Sequence, residues 1–425
     1  MIENYKYKII LLFISSLIMF KLTILFKYKK IKIALHYYSL KNGGAQRVSA
    51  LLTNYLSKKK IFALFLFLNK KEKNEYEIPI NVKKIYLPLG TSYLKKELIK
   101  NRIDIIIYQH YNVDEIRFLN NLKYIKAIMI IHCSFLTWFY LGKYSFIKKL
   151  YKEYKNSKYI VSLIPFENDF LFKKWGIKSI LLNNIITYDY DNISPSDLSS
   201  KTILMIGRGD DKRKRFDLGI KSMKFIVKKI PECKMKIVSK KTKIKNLINL
   251  VKELELENNV KFIGYTANPE QYFINASLNI LPSSTESFPM VLCETKVYGI
   301  PNIITGINYI TPAKGGVINI IDDDPKSIAK EAIKILSNEK YRKKLGKEAR
   351  QSMAAFKNSL TSEKWVELII SVYKGDKYYE KLRENSKKIS EIEAISILKT
   401  QLKLLKKRNA IYKNMTLYDI IHILQ

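Results

Sequence analysis

Cysteine, histidine and acid are all scarce in this chain. Its three cysteines, Cys133, Cys233 and Cys293, stand far apart among 425 residues and follow no metal-ligand spacing, which excludes a disulfide framework and fits a reducing compartment. Four histidines, with no HExxH run and no Cys/His cluster, argue against a protein-built zinc site. Acidic residues number 38 against 76 lysines and arginines, a formal net charge of +38. Such an excess suits an anionic partner, either a membrane surface or nucleic acid. No nucleic-acid-binding signature accompanies it, so nucleic acid is not an expected partner. Lysine, isoleucine, asparagine and tyrosine are abundant along the whole chain, and a solvated lysine surface is an equally sufficient source of the charge. Disorder is excluded by a hydrophobic fraction of 47% with 12% aromatics. The length exceeds what one core fills, so two core-bearing domains plus additions are expected.

One hydrophobic run is long. "IILLFISSLIMFKLTILF", Ile9–Phe26, is apolar apart from Ser15, Ser16, Lys21 and Thr23, and lysines flank it. Residues 1–30 are read as a membrane anchor that spans or lies in the interface, with Lys21 snorkelling, and a buried extension is the alternative. No small-residue cleavage site follows. Lys27, Lys29, Lys30 and Lys32 make the following side the more basic, so the body is expected on the cytoplasmic side.

The rest alternates strand and helix. "KIALHYYSLKNGGAQRVSALLTNYLS" opens as a short apolar strand, passes through Gly43 and Gly44 and continues as an amphipathic helix, the start of a Rossmann-like unit. The apolar runs "IFALFLFL", "IDIIIYQH", "AIMIIHCSF" and "YIVSLI" follow, spaced as a parallel sheet covered by helices. A polar, turn-rich stretch from Leu181 to Lys201 reads as a linker. The pattern then restarts with "TILMIGR", "KMKIVS", "NVKFIGY", "LNILPS" and "PNIITG" as strands, and "DPKSIAKEAIKILSNEKYRKKLGKEAR" as one long helix. The expected fold class is α/β: two facing Rossmann-like domains, 31–190 and 191–355, with a central cleft, then a crossover helix at 356–375 and a basic helical tail at 376–425. That tail could dock on the body, pair with a partner, lie on lipid or stay exposed.

"PSSTESFPMVLCETKVYGIP", Pro282–Pro301, sets Glu286 in a loop and Glu294 about a turn and a half into a helix, with Pro289 at an early helical position. An ordinary surface helix could carry the same letters. The ordered set "IGRGDDKRKRFD", "KFIGYT", "LPSSTESFPMVLCE", "YGIPNIITG" and "GGVINIIDDDPKSIAKEAIKIL" resembles the retaining glycosyltransferases of family 4, which have the GT-B fold. The resemblance covers about Lys201–Arg350. The first half matches more thinly, through "NGGAQRV" and His132.

The resemblance implies a nucleotide diphosphate sugar as donor and a glycan, lipid-linked or at the cell surface, as acceptor, with no metal and no other cofactor. A diphosphate needs cations, backbone amides and helix N-termini. Arg208, at a strand end, and Lys214, in the next loop, would grip it, with Lys212, Arg213 and Arg215 as rivals for the lysine's place. Gly43 and Gly44 would let backbone approach it, since no Cβ intervenes. A carboxylate suits a vicinal diol because it accepts two hydrogen bonds at once. By the resemblance, Glu286 would lie beside the sugar hydroxyls and Glu294 at the ribose, with the amides near Ser287, Phe288 and Pro289 (which donates none) lining the helix start. His132, after "AIMII", is either a packed residue or a neighbour of the transferred sugar, and His36 and His110 are the alternatives. Asp322–Asp324 reads as an acidic cap before Pro325 rather than a metal-binding DxD. A GT-B nucleotide-sugar epimerase and a basic membrane adaptor with a decayed transferase core are the competing functions.

Overall fold

The computed structural model describes residues 30–422 apart from 42, 189, 241, 243, 267, 385–388 and 409–411. The Ile9–Phe26 segment lies outside the described residues, and among the described ones no helix is long and apolar enough to cross a membrane. The chain forms two compact units, Met1–His110 with Asn121–Ile128, and Tyr111–Asn120 with Met129–Gln425.

The first unit is built on β1 (Ile31–Tyr37), β2 (Phe62–Leu68), β3 (Lys83–Tyr86) and β4 (Ile105–Tyr108). β1 pairs in parallel with β2 and β4, and β2 with β3. β2 and β4 read as unbroken apolar runs because a parallel sheet is covered on both faces. Helix Gly44–Ser57 starts straight after Gly43 and buries Val48, Leu52 and Leu56. β5 (Lys126–Ile131) is shared: Lys126–Ile128 belong to the first unit and Met129–Ile131 to the second. With β6 (Tyr159–Ser162) and β7 (Ser179–Leu181) the strand order is β3-β2-β1-β4-β5-β6-β7.

The second unit also carries a complete parallel sheet: β8 (Thr202–Ile206), β9 (Lys234–Val238), β10 (Val260–Phe262), β11 (Leu278–Leu281), β12 (Asn302–Thr305) and β13 (Val317–Ile320). Its order is β10-β9-β8-β11-β12-β13. Both sheets run outward from their first strand in one direction and then restart on its other side. That reversal leaves a crevice at the carboxyl ends, between β8 and β11 in the second sheet, where ligands of such folds bind. Ile203, Met205, Ile220, Met235, Ile237, Ile280, Ile303 and Ala332 fill the core of this sheet and its helices.

The segment 182–201 carries no regular element but is not loose. Ser196 donates its N–H to Tyr298 O at 2.8 Å, Arg350 reaches Tyr190 O and Ile193 O, and the Tyr188 ring packs on Phe273 and Tyr298. The long helix expected after Asp324 is two. Pro325–Ser337 is capped by Asp324, whose side chain accepts from Lys326 N at 2.9 Å, and Glu339–Ser352 by Asn338, which accepts from Tyr341 N at 2.9 Å. An asparagine with extended φ/ψ satisfies an orphan amide better as a cap than it would inside one long helix. Helix Asn358–Lys374 follows, then Asp376–Glu384, whose Tyr379 hydroxyl accepts from Ile160 N on β6. Of the outcomes open for the tail, docking on the body is the one observed for its described part: helix Glu391–Arg408 buries Ala394, Leu398, Gln401, Leu404 and Leu405.

Candidate functional site

The crevice between β8 and β11 gathers most of the residues singled out in the second half. Arg208 follows β8 by two residues and gives its guanidinium to Asp211 at 2.7 Å while its side chain stays more than half exposed. Asp211 is also clamped by Arg213 through Nε and Nη2, at 2.9 and 2.6 Å. Burial alone would raise the Asp211 carboxyl, but Arg213 and Arg208 outweigh it and hold the group below its ordinary value. The four rivals in "KRKR" separate by partner. Lys212 is exposed, Arg213 takes Asp211, Lys214 Nζ lies 2.5 Å from Glu286 Oε1, and Arg215 Nη1 lies 2.6 Å from Asp323 Oδ1. Gly207 stands at φ 155°, a backbone conformation that favours glycine, and the Lys214 stem passes 3.8 Å from where a Cβ would be, in ordinary contact distance.

The loop carrying Glu286 is tied at each end. Ser284 donates its N–H to Arg213 O at 2.7 Å. Glu286 N donates to the Tyr309 hydroxyl at 3.2 Å, and that hydroxyl donates to Glu286 O at 3.0 Å. The Ser287 hydroxyl accepts from Ser134 N at 2.7 Å, and Thr137 and Thr285 join through their hydroxyls at 3.0 Å, so this loop meets the chain that leaves β5. Phe288 packs on Phe356, and Pro289 is the residue capping helix Met290–Val297 rather than its first member. Glu294 is buried on that helix, and its Oε1 accepts from the Thr187 hydroxyl at 2.8 Å.

His132 directly follows β5, in the same unit as Glu286. Burial lowers it to about 4, so its ring is neutral at neutral pH. Its neighbour Cys133 is pushed up to about 11 by burial, with Arg213 pulling down and Glu167 and Glu286 pushing up. A thiol held that high is not a nucleophile near pH 7. His36 and His110 lie in the first unit, with ring centroids 5.0 Å apart. Gly43 and Gly44 also lie in that unit, at the start of helix Gly44–Ser57.

Asp322–Asp324 divides its work. Asp324 is the helix cap, Asp322 accepts from Asp324 N and the Ser327 hydroxyl, and Asp323 binds Arg215 and Arg408. The cap reading therefore covers Asp324, whereas Asp323 joins a cluster invisible in the local sequence. Thr187, Ser134, Glu167 and Tyr309 were likewise unmarked by any motif. They come from distant segments and have ordinary neighbours.

Glu167 is fully buried, accepts from the Ser134 hydroxyl and from Phe135 N at 3.2 Å, and is raised to about 8 by burial. The folded protein thus keeps this proton to about pH 8, while the unfolded chain releases it near 4.5. The Glu167 contribution to stability should fall with rising pH through that window, by about 1.4 kcal/mol per pH unit at its middle; because buried His132 acts in the opposite sense below pH 6.5, that contribution is read as the difference in slope that Glu167→Gln produces. Urea midpoints measured at steps from pH 5 to 8.5 test this, and equal slopes in the two proteins would refute it.

Three comparisons bear on this geometry. Residues 189–352 match the family model for glycosyl transferases group 1. An uncharacterized glycosyltransferase of Haemophilus influenzae is 31% identical over 283 residues, 61% of this chain and 76% of that one. Further curated relatives match over 18 to 39% of their own length. Among solved structures, Anabaena Alr3699/HepE in complex with UDP and glucose superposes with a TM-score of 0.60 at 14% identity, over 80% of this chain and 100% of that one. WaaG, a glycosyltransferase involved in lipopolysaccharide biosynthesis, superposes with a TM-score of 0.62 at 15% identity, over 79% and 99%. At such identities the structures speak for the fold alone, the GT-B arrangement of two parallel-sheet α/β layers. With the group 1 domain on its second sheet and a 31% identical glycosyltransferase matched over 76% of its length, the chain belongs to the glycosyl transferases group 1 family.

Proposed function

We propose that this glycosyltransferase is a family 4-like, metal-independent enzyme. It moves a sugar from a nucleotide diphosphate sugar to a lipid-linked or cell-surface glycan, with retention of anomeric configuration. The observation that carries the reading is the Lys214–Glu286 contact of 2.5 Å at the β8/β11 crevice, with Glu294 eight residues on. A cation and a carboxylate in the loops leaving β8 and β11, with a second carboxylate on the helix that follows β11, suit a ligand that is anionic at its phosphates and rich in hydroxyls elsewhere. Arg208 and Lys214 neutralise the departing nucleotide diphosphate, Glu286 holds the sugar hydroxyls and Glu294 the ribose. Neutral His132 stands beside the transferred sugar. No side chain serves as nucleophile, so the leaving diphosphate assists attack on its own face of the sugar, which gives retention. Asp323 is occupied by two arginines and Asp324 by a helix amide, which leaves that run poorly suited to hold a divalent ion. The anchor Ile9–Phe26 and the basic excess hold the body at an anionic membrane, on its cytoplasmic side.

The test is transfer itself. Membranes bearing the full chain are incubated with a panel of nucleotide sugars and a lipid-linked glycan extract, with and without EDTA, and the product's anomeric proton is read by NMR. The expected result is acceptor-dependent transfer that survives EDTA, retains configuration and moves to the soluble fraction when residues 1–28 are deleted. Inversion would refute the mechanism, magnesium-restored loss in EDTA the metal independence, and donor conversion without acceptor would favour the epimerase.

A further inference from the structure

The tail supplies a buried cation that the donor reading does not use. Near the end of helix Glu391–Arg408, Gln401 Nε2 donates to Gly306 O at 2.6 Å, and Leu404 lies so close that a Cβ on Gly306 would stand 2.3 Å from its Cδ1. Four residues on, Arg408 divides its guanidinium among two loops and the last residue of β12. Nε and Nη2 each lie 2.8 Å from an Asp323 oxygen, Nη1 donates to Ser284 O at 2.8 Å and Nη2 to Thr305 O at 3.3 Å. Its side chain is only 7% exposed. Asp323 is also held by Arg215, and it stands at φ 58°, in the left-handed region that aspartate enters more readily than most non-glycine residues.

Both routes out of this cluster end at the site. Ser284 precedes Glu286 by two residues, and Arg215 follows Lys214 directly. A planar fork can satisfy a carboxylate and two carbonyls together, which an ammonium on a flexible stem does not do in one geometry.

We propose that Arg408 is a positioning residue of the donor site, reaching it from the C-terminal tail. It ties the loop before Glu286 directly, and the loop bearing Lys214 through Asp323 and Arg215, so that the two side chains are held at their spacing. The inference rests on the donor reading above. The tail is then part of the transferase rather than an appendage, and its loss is felt at Lys214 and Glu286 more than at Glu294.

The experiment uses the full chain with Arg408→Gln, Arg408→Lys and, as a control for helix docking, Leu398→Ala, a buried residue ten positions earlier. Melting temperature, kcat with the donor found by the transfer assay, and UDP or GDP affinity by calorimetry are measured for each. Both Arg408 variants should lose about tenfold in kcat with nucleoside diphosphate affinity changed by less than about threefold, as expected when an interaction felt in the transition state is disturbed. Leu398→Ala should lower the melting temperature and leave kcat near wild type at temperatures where it is folded. If Arg408→Gln does not fold, Arg408→Lys decides, since it keeps charge and stem but not the fork. Wild-type kcat in the folded Arg408→Lys variant overturns the positioning role. An equal loss in Leu398→Ala reduces Arg408 to general docking. A wild-type protein that binds no nucleoside diphosphate and turns over no nucleotide sugar overturns the donor reading itself, a result distinct from either.

Discussion

Lys214→Ala should lower kcat/KM for the sugar donor by about 10²–10³, while Lys212→Ala, two positions earlier, should stay within about twofold of wild type. The difference follows from placement. Lys212 is exposed, whereas Lys214 reaches Glu286 at 2.5 Å, with both side chains largely shielded from water. A cation in a partly dehydrated crevice stabilises a developing phosphate charge far more than one in bulk solvent. Lys214→Arg should recover part of the loss, because charge is kept while the position of the donor atoms changes. The Lys214→Ala/Glu286→Gln double variant should lose much less than the two single losses combined, because each partner is disabled once the other is gone. Steady-state kinetics on wild type, the four single variants (Glu286→Gln included) and the double variant provide the check. A larger loss in Lys212→Ala would move the phosphate role along the loop.

The two glutamates should separate by what they touch. Glu294→Ala is expected to raise KM and weaken free nucleoside diphosphate binding, since ribose contacts are equal in ground and transition states. Glu286→Ala is expected to lower kcat and leave nucleoside diphosphate affinity nearly unchanged, because that ligand has no sugar to hold. Each lost charged hydrogen bond costs roughly 1.5–3 kcal/mol, about ten- to more than a hundredfold in kcat/KM. The 2.8 Å bond from Thr187 to Glu294 adds a milder variant. Thr187→Val should shift KM in the direction of Glu294→Ala by a smaller factor, leaving kcat alone. Calorimetry with UDP and GDP beside the kinetics distinguishes the cases, and the reverse pattern would exchange the two assignments.

How much of this was legible differs by element. The central strands of both sheets announce themselves because burial on two faces demands apolar runs such as "IIIY" and the "ILMI" of β8. β3, "KKIY", was missed because an edge strand carries lysines outward, and β7 is only three residues long. Helix Pro325–Ser337 was legible through Asp324 and Pro325, but its end at Asn338 was hidden in a run whose helical periodicity continues across the break.

At the site, local spacing was enough to bring Arg208, Lys214, Glu286 and Glu294 forward, because the first three lie in the loops that leave β8 and β11 and the last on the helix that follows β11, and the order of a doubly wound fold follows from its alternation of elements. The sequence by itself therefore determined the two parallel sheets and the loops and helix that carry those side chains, since periodicity and turn residues are local properties. Which of four adjacent basic residues meets Glu286 was a matter of tertiary structure, because a left-handed residue at Arg215, φ 49°, turns the backbone between neighbours identical in charge. So was the fate of lysines that composition reads as solvated. Lys296 is fully buried, gives its ammonium to Pro312 O and Lys314 O at 2.6 Å, and is lowered to about 8 by desolvation. Thr187 with Glu294, Ser134 with Ser287, and Arg408 with Ser284 and Asp323 join residues 107, 153, 124 and 85 positions apart. No local pattern encodes a hydrogen bond at that separation, and only packing the helices and loops onto the sheets brings donor and acceptor within reach.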